Sequence, residues 1–268
     1  MAWRWRNGRA TAEVVRDQWF VDHIRAAGEV IDFCAGAGLS LQGPTVGDVG
    51  AGDGIIDLAL ALHADPECIT GWDVNPVNED ALLARAIQDG LCSSLPANLQ
   101  FVQSDDTRLP ADDDSVDAVM TWSAFEHIGD ISAVAREIAR VLRPGGFVFA
   151  QVWPLYFSER GSHLERWWPE GFHHLVEDDD TLRHRLTRDG SDGAWADYMW
   201  AEYVTLNRAT LDDVQAAFAA ARLVVRRCEL YSHLVNIPEG ATSEYPLSDL
   251  MIAGFKMVLT PTTSSPQP

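Results

Sequence analysis

The sequence predicts an α/β fold organised around a doubly wound, largely parallel sheet, and three observations predict it. From residue 45 onward, short apolar runs alternate with segments of helical periodicity, as strand-helix-strand units do. A glycine-rich turn, Gly50-Ala51-Gly52-Asp53-Gly54, joins the first apolar run to the first helical one. Near the end, two apolar runs follow one another without a helical crossover, so they must pair antiparallel, as a hairpin-like edge.

Taken in order, strands are expected at Thr45–Val49, Cys68–Asp73, Leu99–Ser104, Val116–Trp122 and Phe147–Val152. Helices are expected between them at Ile55–Ala64, Asn78–Asp89 and Ile131–Leu142. In the last of these, Ile131, Val134, Ile138, Val141 and Leu142 share one face at helical spacing. The rhythm breaks over 153–207, a stretch rich in Trp and His. It resumes with a helix opened by the capping-box-like Thr210-Leu211-Asp212-Asp213, a strand at Leu223–Leu230 and a final run at Met251–Leu259. Ahead of the sheet, Thr11–Ala27 reads as helical. The expected organisation is an N-terminal helical segment (1–44), a domain (45–260) carrying an insertion after the fifth strand (153–207), and a flexible Thr/Ser/Pro tail (261–268).

Composition narrows the function. A formal charge of −20 over 268 residues leaves no basic footprint for a phosphate backbone, so no nucleic-acid partner is expected. No run of 18 apolar residues and no signal-peptide pattern is present, so no membrane partner is expected. Cys34, Cys68, Cys92 and Cys228 lack CxxC or zinc-like spacing, as expected of thiols in a reducing compartment, and a cytoplasmic location follows.

The glycine turn carries the first chemical signal. Glycines between a strand and a helix let the backbone turn sharply and approach a ligand, while the free amides at the helix start favour an anionic group. The spacing is GxGxG rather than the GxGxxG of dinucleotide sites, with Asp48 just ahead of it. Asp73 ends the second strand, placed to accept both hydroxyls of an adenosine ribose. Asp105, or its neighbour Asp106, follows the third strand, where a carboxylate can accept a hydrogen bond from an adenine amino group.

Six motifs in order resemble those of the class I S-adenosylmethionine-dependent methyltransferases, especially the small-molecule group with the ubiquinone and menaquinone biosynthesis enzymes. They are Val46-Gly47-Asp48-Val49-Gly50-Ala51-Gly52-Asp53-Gly54, Gly71-Trp72-Asp73, Ser104-Asp105 with Leu109-Pro110, Asp114-Ser115-Val116-Asp117-Ala118-Val119, Glu126-His127-Ile128, and Leu142-Arg143-Pro144-Gly145-Gly146. The resemblance implies a Rossmann-like seven-stranded mixed sheet with an antiparallel last strand, helices on both faces, and S-adenosylmethionine (SAM) as cofactor. It implies a cofactor site formed by Asp48, Gly50, Ala51, Gly52, Asp73, Val74, Asp105 and Asp106. Trp122, Ser123 and His127 would join them after the fourth strand. In some ubiquinone-pathway relatives the Glu-His pair joins further carboxylates on a divalent metal; here Ser123, Ala124 and Phe125 precede the pair, and no metal is expected.

Methyl transfer from a sulfonium asks the protein chiefly to align an acceptor and exclude water. A hydroxyl acceptor also needs a base, for which histidine suits neutral pH. Four of eight histidines (His163, His173, His174, His184) and five of ten tryptophans (Trp153, Trp167, Trp168, Trp195, Trp200) fall in the insertion. The insertion is therefore read as a lid over the acceptor, with its Trp residues and Tyr156 as flat walls. His163 or His173 is the candidate base, with His174 behind them. The expected reaction is O-methylation of a small molecule such as a sugar, polyketide or other secondary metabolite. Carbon or nitrogen methylation, a silent SAM-binding protein and, last, a nicotinamide-dependent reductase are the other readings. The Trp-rich start, Trp3, Trp5 and Trp19, is read as a cover over the cofactor in its own chain, with a homodimer contact as the other reading.

Overall fold

A computed structural model of the protein describes residues 18–188 and 193–262. In chain order these form α1 (Gln18–Gly36), β1 (Thr45–Val49), α2 (Ile55–His63), β2 (Cys68–Asp73), α3 (Glu79–Gln88), β3 (Leu99–Gln103), β4 (Val116–Trp122), α4 (Ile131–Val141) and β5 (Leu142–Val152). A 3-10 turn (His173–Leu175), α5 (Asp179–Arg188), α6 (Gly193–Thr205), α7 (Leu211–Ala220), β6 (Leu223–Tyr231), α8 (Glu239–Glu244), α9 (Leu247–Met251) and β7 (Gly254–Pro261) follow.

The strands make one seven-stranded sheet in the order β3-β2-β1-β4-β5-β7-β6. β1 to β5 run parallel, and β7 lies antiparallel to both β5 and β6. The mixed sheet with its antiparallel last strand is as expected, but β7 is not an edge: it slots between β5 and β6. Its run Gly254–Leu259 is buried throughout, which suits an interior strand, whereas Arg226, Cys228, Glu229 and Leu230 leave β6 exposed at the edge.

Helices cover both faces. On one, Ala26, Ala27, Val30, Phe33 and Cys34 of α1 pack with Ile56, Ala59 and Leu60 of α2 against Val46, Ile69, Met120 and Phe149. On the other, Val134, Ala135, Ile138 and Val141 of α4 and Val214, Ala217 and Phe218 of α7 pack against Val119, Val148 and Phe255. The caps follow the sequence. Asp130 accepts from the Ala133 amide at the start of α4, and Thr210 and Asp213 form a full capping box on α7.

Apart from one-residue shifts at the ends of α2, α3, α4, β3 and β6, four features differ from expectation. α1 continues past Ala27 to Gly36, because Val30, Phe33 and Cys34 extend its apolar face beyond Gly28; Thr11–Asp17, Trp3 and Trp5 lie outside the described residues. β5 begins at Leu142, and the Arg143–Gly146 turn is absorbed as a register shift opposite Val116 and Ala118. Met251 closes α9, so the last strand starts only at Gly254. Between β5 and α7, two helices, α5 and α6, occupy what carried no element in the sequence. Their core joins Tyr156, Trp167, Trp168, Phe172, Leu182 and Tyr203 with Ala241 of α8 and Leu250 of α9, so the insertion is not closed by its own residues alone. Among the described residues, no helix is long and apolar enough to cross a membrane.

Candidate active site

Because β1 to β5 are parallel, their carboxyl ends reach one rim of the sheet, and the loops leaving them face a common crevice. At β1 the chain reverses through Gly50, Gly52 and Gly54, with φ of 83°, 57° and 75°. Gly50 and Ala51 amides both donate to the Trp72 carbonyl at 2.8 and 3.2 Å, which ties the turn to β2. A Cβ on Gly50 would sit 2.3 Å from that of Ala124, so the β4 loop can approach only a glycine there.

Asp73 receives the Gly52 amide at 2.9 Å on one oxygen and the Asn75 amide at 2.8 Å on the other. A Cβ built on Gly52 meets no atom within 4 Å, so backbone and carboxylate line an open cradle. That is the arrangement a nucleoside with a carboxylate-bearing tail fits. Val74 is exposed, its carbonyl accepting from Gln103 Nε2 at 2.8 Å. Asp105 and Asp106 follow β3, both exposed. Trp19 of α1 donates from Nε1 to Asp53 at 2.9 Å, which places α1 over the turn in its own chain.

Beneath the turn lie two sealed carboxyls, Asp48 and Asp57. Burial pushes both pKa values up, Asp57 to about 7, and the charge of Asp57 lifts Asp48 further.

After β4 the chain turns sharply at Ser123 (φ 46°), whose hydroxyl lies 2.9 Å from Gln151 Oε1 and 3.1 Å from the Trp153 carbonyl. Trp122 stacks on Phe149, with Lys256 Nζ 5.7 Å over its ring, and Lys256 is ion-paired to Glu29 of α1. Glu126 is only 4% exposed, yet neither carboxylate oxygen has a hydrogen-bond partner among the described residues. Burial raises its pKa to about 8. His127 Nδ1 is 2.7 Å from Thr205 Oγ1, and its Nε2 is 3.8 Å from Glu202 Oε2; burial lowers its pKa.

His163 of the insertion joins this pair, its ring 5.5 Å from that of His127 and nearly perpendicular to it. The Pro154 backbone favours its protonated form, and Nε2 is buried without a hydrogen-bond partner among the described residues. Burial first, then the neighbouring His127, lowers its pKa to about 4, so the imidazole is neutral at physiological pH. One ligand atom from each of Glu126, His127 and His163 lies within 4.8 Å of the others.

The other two histidines expected as bases are placed differently. His173 turns Nε2 to the Trp168 carbonyl at 3.0 Å and packs on the Trp168 ring. His174 turns Nε2 to the Tyr156 carbonyl at 2.6 Å, and burial lowers its pKa to about 4. Tyr156, Trp167 and Trp168, expected as walls of the acceptor site, are buried in the core of the insertion, whereas Trp195 is exposed and stacks on Tyr198. Residues that sequence reasoning missed hold the cluster in place. Glu202 and Thr205 at the end of α6 contact His127, and the Asn207 amide group donates to the Phe125 and Ile128 carbonyls. The run Gly193–Thr205 lacks a clear apolar stripe, so only its tertiary position could reveal them.

A family profile described as a methyltransferase domain matches residues 47–150. The ubiquinone biosynthesis O-methyltransferase of Xanthomonas oryzae is 33% identical over 148 residues, covering 53% of this chain and 59% of that protein. The chain thus spans less than two thirds of this relative's length. Among solved structures, a geranyl diphosphate methyltransferase in complex with SAM superposes with a TM-score of 0.54 at 14% identity, over 88% of this chain and 84% of that one. The [4+2]-cyclase SpnF superposes with a TM-score of 0.54 at 18% identity, over 89% and 80%.

Fold, glycine turn and matched segment agree on the class: residues 47–150 match a methyltransferase domain, and the seven-stranded sheet that contains them has the architecture of the class I SAM-dependent methyltransferases, whose cofactor is SAM. A cyclase shares the fold, so the reaction must be argued from the site.

Proposed function

We propose that the protein transfers the methyl group of SAM to a hydroxyl of a small, partly apolar molecule, with 153–207 acting as the lid over that acceptor. The observation that carries this reading is the convergence of His163 on Glu126 and His127 beside the carboxyl end of β4. The acceptor hydroxyl is activated at this cluster, and His163 takes the part expected of a histidine: its Nε2 is buried, neutral and unpartnered. SAM supplies an electrophilic methyl group. Asp73 and the Gly52 backbone hold the cofactor's ribose side, Asp48 lies beneath its anionic end, and Asp105 or Asp106 meets its base. Val74, Trp122 and Ser123 flank these groups. The acceptor is a sugar, polyketide or similar metabolite, a reading supported by the small-molecule chemistry that the name of the ubiquinone biosynthesis relative carries, and the protein acts in the cytoplasm.

The test is methyl transfer from labelled SAM to a panel of hydroxylated small molecules, read by mass spectrometry. His163→Gln should lower kcat by about 100-fold or more while leaving the acceptor's KM nearly unchanged. Full kcat in that variant, or transfer only to carbon or nitrogen atoms, would overturn the reading.

A further inference from the structure

We propose that Glu126, His127 and His163 form a binding site for one divalent first-row transition ion of the zinc type, completed by the insertion. The catalytic consequence rests on the function proposed above; the binding itself does not.

Buried polar atoms are nearly always partnered, and those left over call for a water, an ion or a chemical role. Here three orphans face one another: both oxygens of Glu126, 4% exposed, and Nε2 of His163. They converge with His127 so that one ligand atom from each residue lies within 4.8 Å of the other two.

The tautomer of His127 is set for ligation. The Thr205 hydroxyl donates to the Glu202 carbonyl at 2.8 Å, so toward His127 it can only accept, and Nδ1 of His127 carries the hydrogen. That leaves Nε2 of His127 with its lone pair free. In His163, Nε2 is buried with no hydrogen-bond partner among the described residues. An oxygen acceptor behind the His127 imidazole is the support that metal-bound histidines characteristically have. His163 also holds φ at 61°, a left-handed conformation costly for a residue with a side chain, and such strain concentrates where geometry serves a ligand.

The donor set selects the ion. Two imidazoles and one carboxylate with an open fourth position suit zinc-type ions, whereas magnesium and calcium favour oxygen ligands throughout. With bonds of about 2.0–2.1 Å, tetrahedral ligand atoms stand about 3.3 Å apart, so the cluster needs to contract by no more than about 1.5 Å. Glu202, 3.8 Å from His127 Nε2, presents a further carboxylate at the rim. The ligands therefore differ from the carboxylate-rich set that the sequence lacks, since the third comes from the insertion rather than from the turn after β4. A hydroxyl at the open position of such an ion would lose its proton more easily, with the Glu202 carboxylate at the rim to take it, and His163 would then serve as a ligand in place of its role as base.

The test uses the tag-free, full-length protein, stripped with a chelator and titrated with Co2+ followed by Zn2+. Calorimetry should give one ion per chain, and visible Co2+ bands of a nitrogen-ligated site should appear and then vanish as Zn2+ displaces it. Glu126→Gln and His163→Gln should each weaken binding by about 100-fold or more, Thr205→Val by about 10-fold, and His184→Ala not at all. Circular dichroism checks folding, and Thr205→Val serves as the discriminating variant if the buried Glu126→Gln does not fold. No ion bound, or affinity unmoved by the substitutions, would overturn the site. Methyl transfer without ion binding removes this inference alone, and ion binding without methyl transfer to any hydroxyl removes only the function proposed above.

Discussion

Asp48 of β1 and Asp57 of α2 meet beneath the glycine turn with both carboxyls sealed from solvent. The two side chains are hydrogen-bond partners of one another, which requires one of them to carry a proton. Two neighbouring buried carboxyls cannot both ionise cheaply, so the pair keeps a proton at neutral pH.

This retained proton makes the fold sensitive to alkali. An unfolded Asp releases its proton near pH 3.9, about three units below the value of about 7 at Asp57 in the folded protein. The pair's contribution to stability is full below the unfolded value and is lost as pH rises through the folded one, because the folded state binds more protons over that window. Tm should therefore fall between about pH 4 and pH 7 more steeply in the wild type than in Asp57→Asn. Equal slopes would mean that the pair titrates as ordinary carboxyls.

Legibility in the sequence followed periodicity and local chemistry. β1, β2 and β4 were readable to the residue because Gly, Asp and Trp punctuate short β-branched runs, and the position of Asp73 followed from the strand's end. The order of β6 and β7 was not readable, since antiparallel pairing fixes that two runs join but not which one takes the interior. α5 and α6 were hidden because each buries only two side chains, Leu182 and Leu186 in one and Ala196 and Tyr203 in the other, in a core shared with loop residues such as Tyr156, Leu164 and Trp168. Likewise His163 could be named from its place in a polar run, but its meeting with His127 depends on a loop path that no local pattern encodes.

In the function proposed here Asp73, at the end of β2, holds the ribose of the cofactor. Its carboxylate orients the Gly52 and Asn75 amides, so Asp73→Ala removes the acceptor of a ribose and also frees the turn. Affinity for SAM and for its demethylated product should drop at least about 10-fold by calorimetry, the loss of a charge-assisted hydrogen bond of about 1.5–3 kcal/mol. Unchanged affinity would take Asp73 out of the cofactor site.

Arg140 of α4 makes five hydrogen bonds: two to the Glu137 carboxylate, one to Asp113, and one each to the Leu109 and Ala111 carbonyls. Its guanidinium therefore pins the segment between β3 and β4 to the helix, and Glu137 in return sits below its usual carboxylate range. Arg140→Ala should cost about 2 kcal/mol in urea unfolding. Arg140→Lys should recover little, because a point charge cannot reproduce the fork.

His173 separates a structural from a chemical histidine within one insertion. Its Nε2 is committed to the Trp168 carbonyl, its ring packs 5.1 Å from that of Trp168, and the Arg185 guanidinium lies 4.9 Å over the same Trp168 ring. Removing the imidazole leaves a buried carbonyl without its donor and opens space beside a fully buried Trp, so His173→Ala should cost about 1–3 kcal/mol. Since His173 is not part of the Glu126 cluster, kcat at a temperature where the variant remains folded should stay within about 2-fold of wild type, against the roughly 100-fold loss expected for His163→Gln. Thermal unfolding and steady-state kinetics on the two variants measure both axes. A stable His173→Ala protein with collapsed kcat would exchange the roles of the two residues and move the acceptor site from the β4 rim into the interior of the insertion.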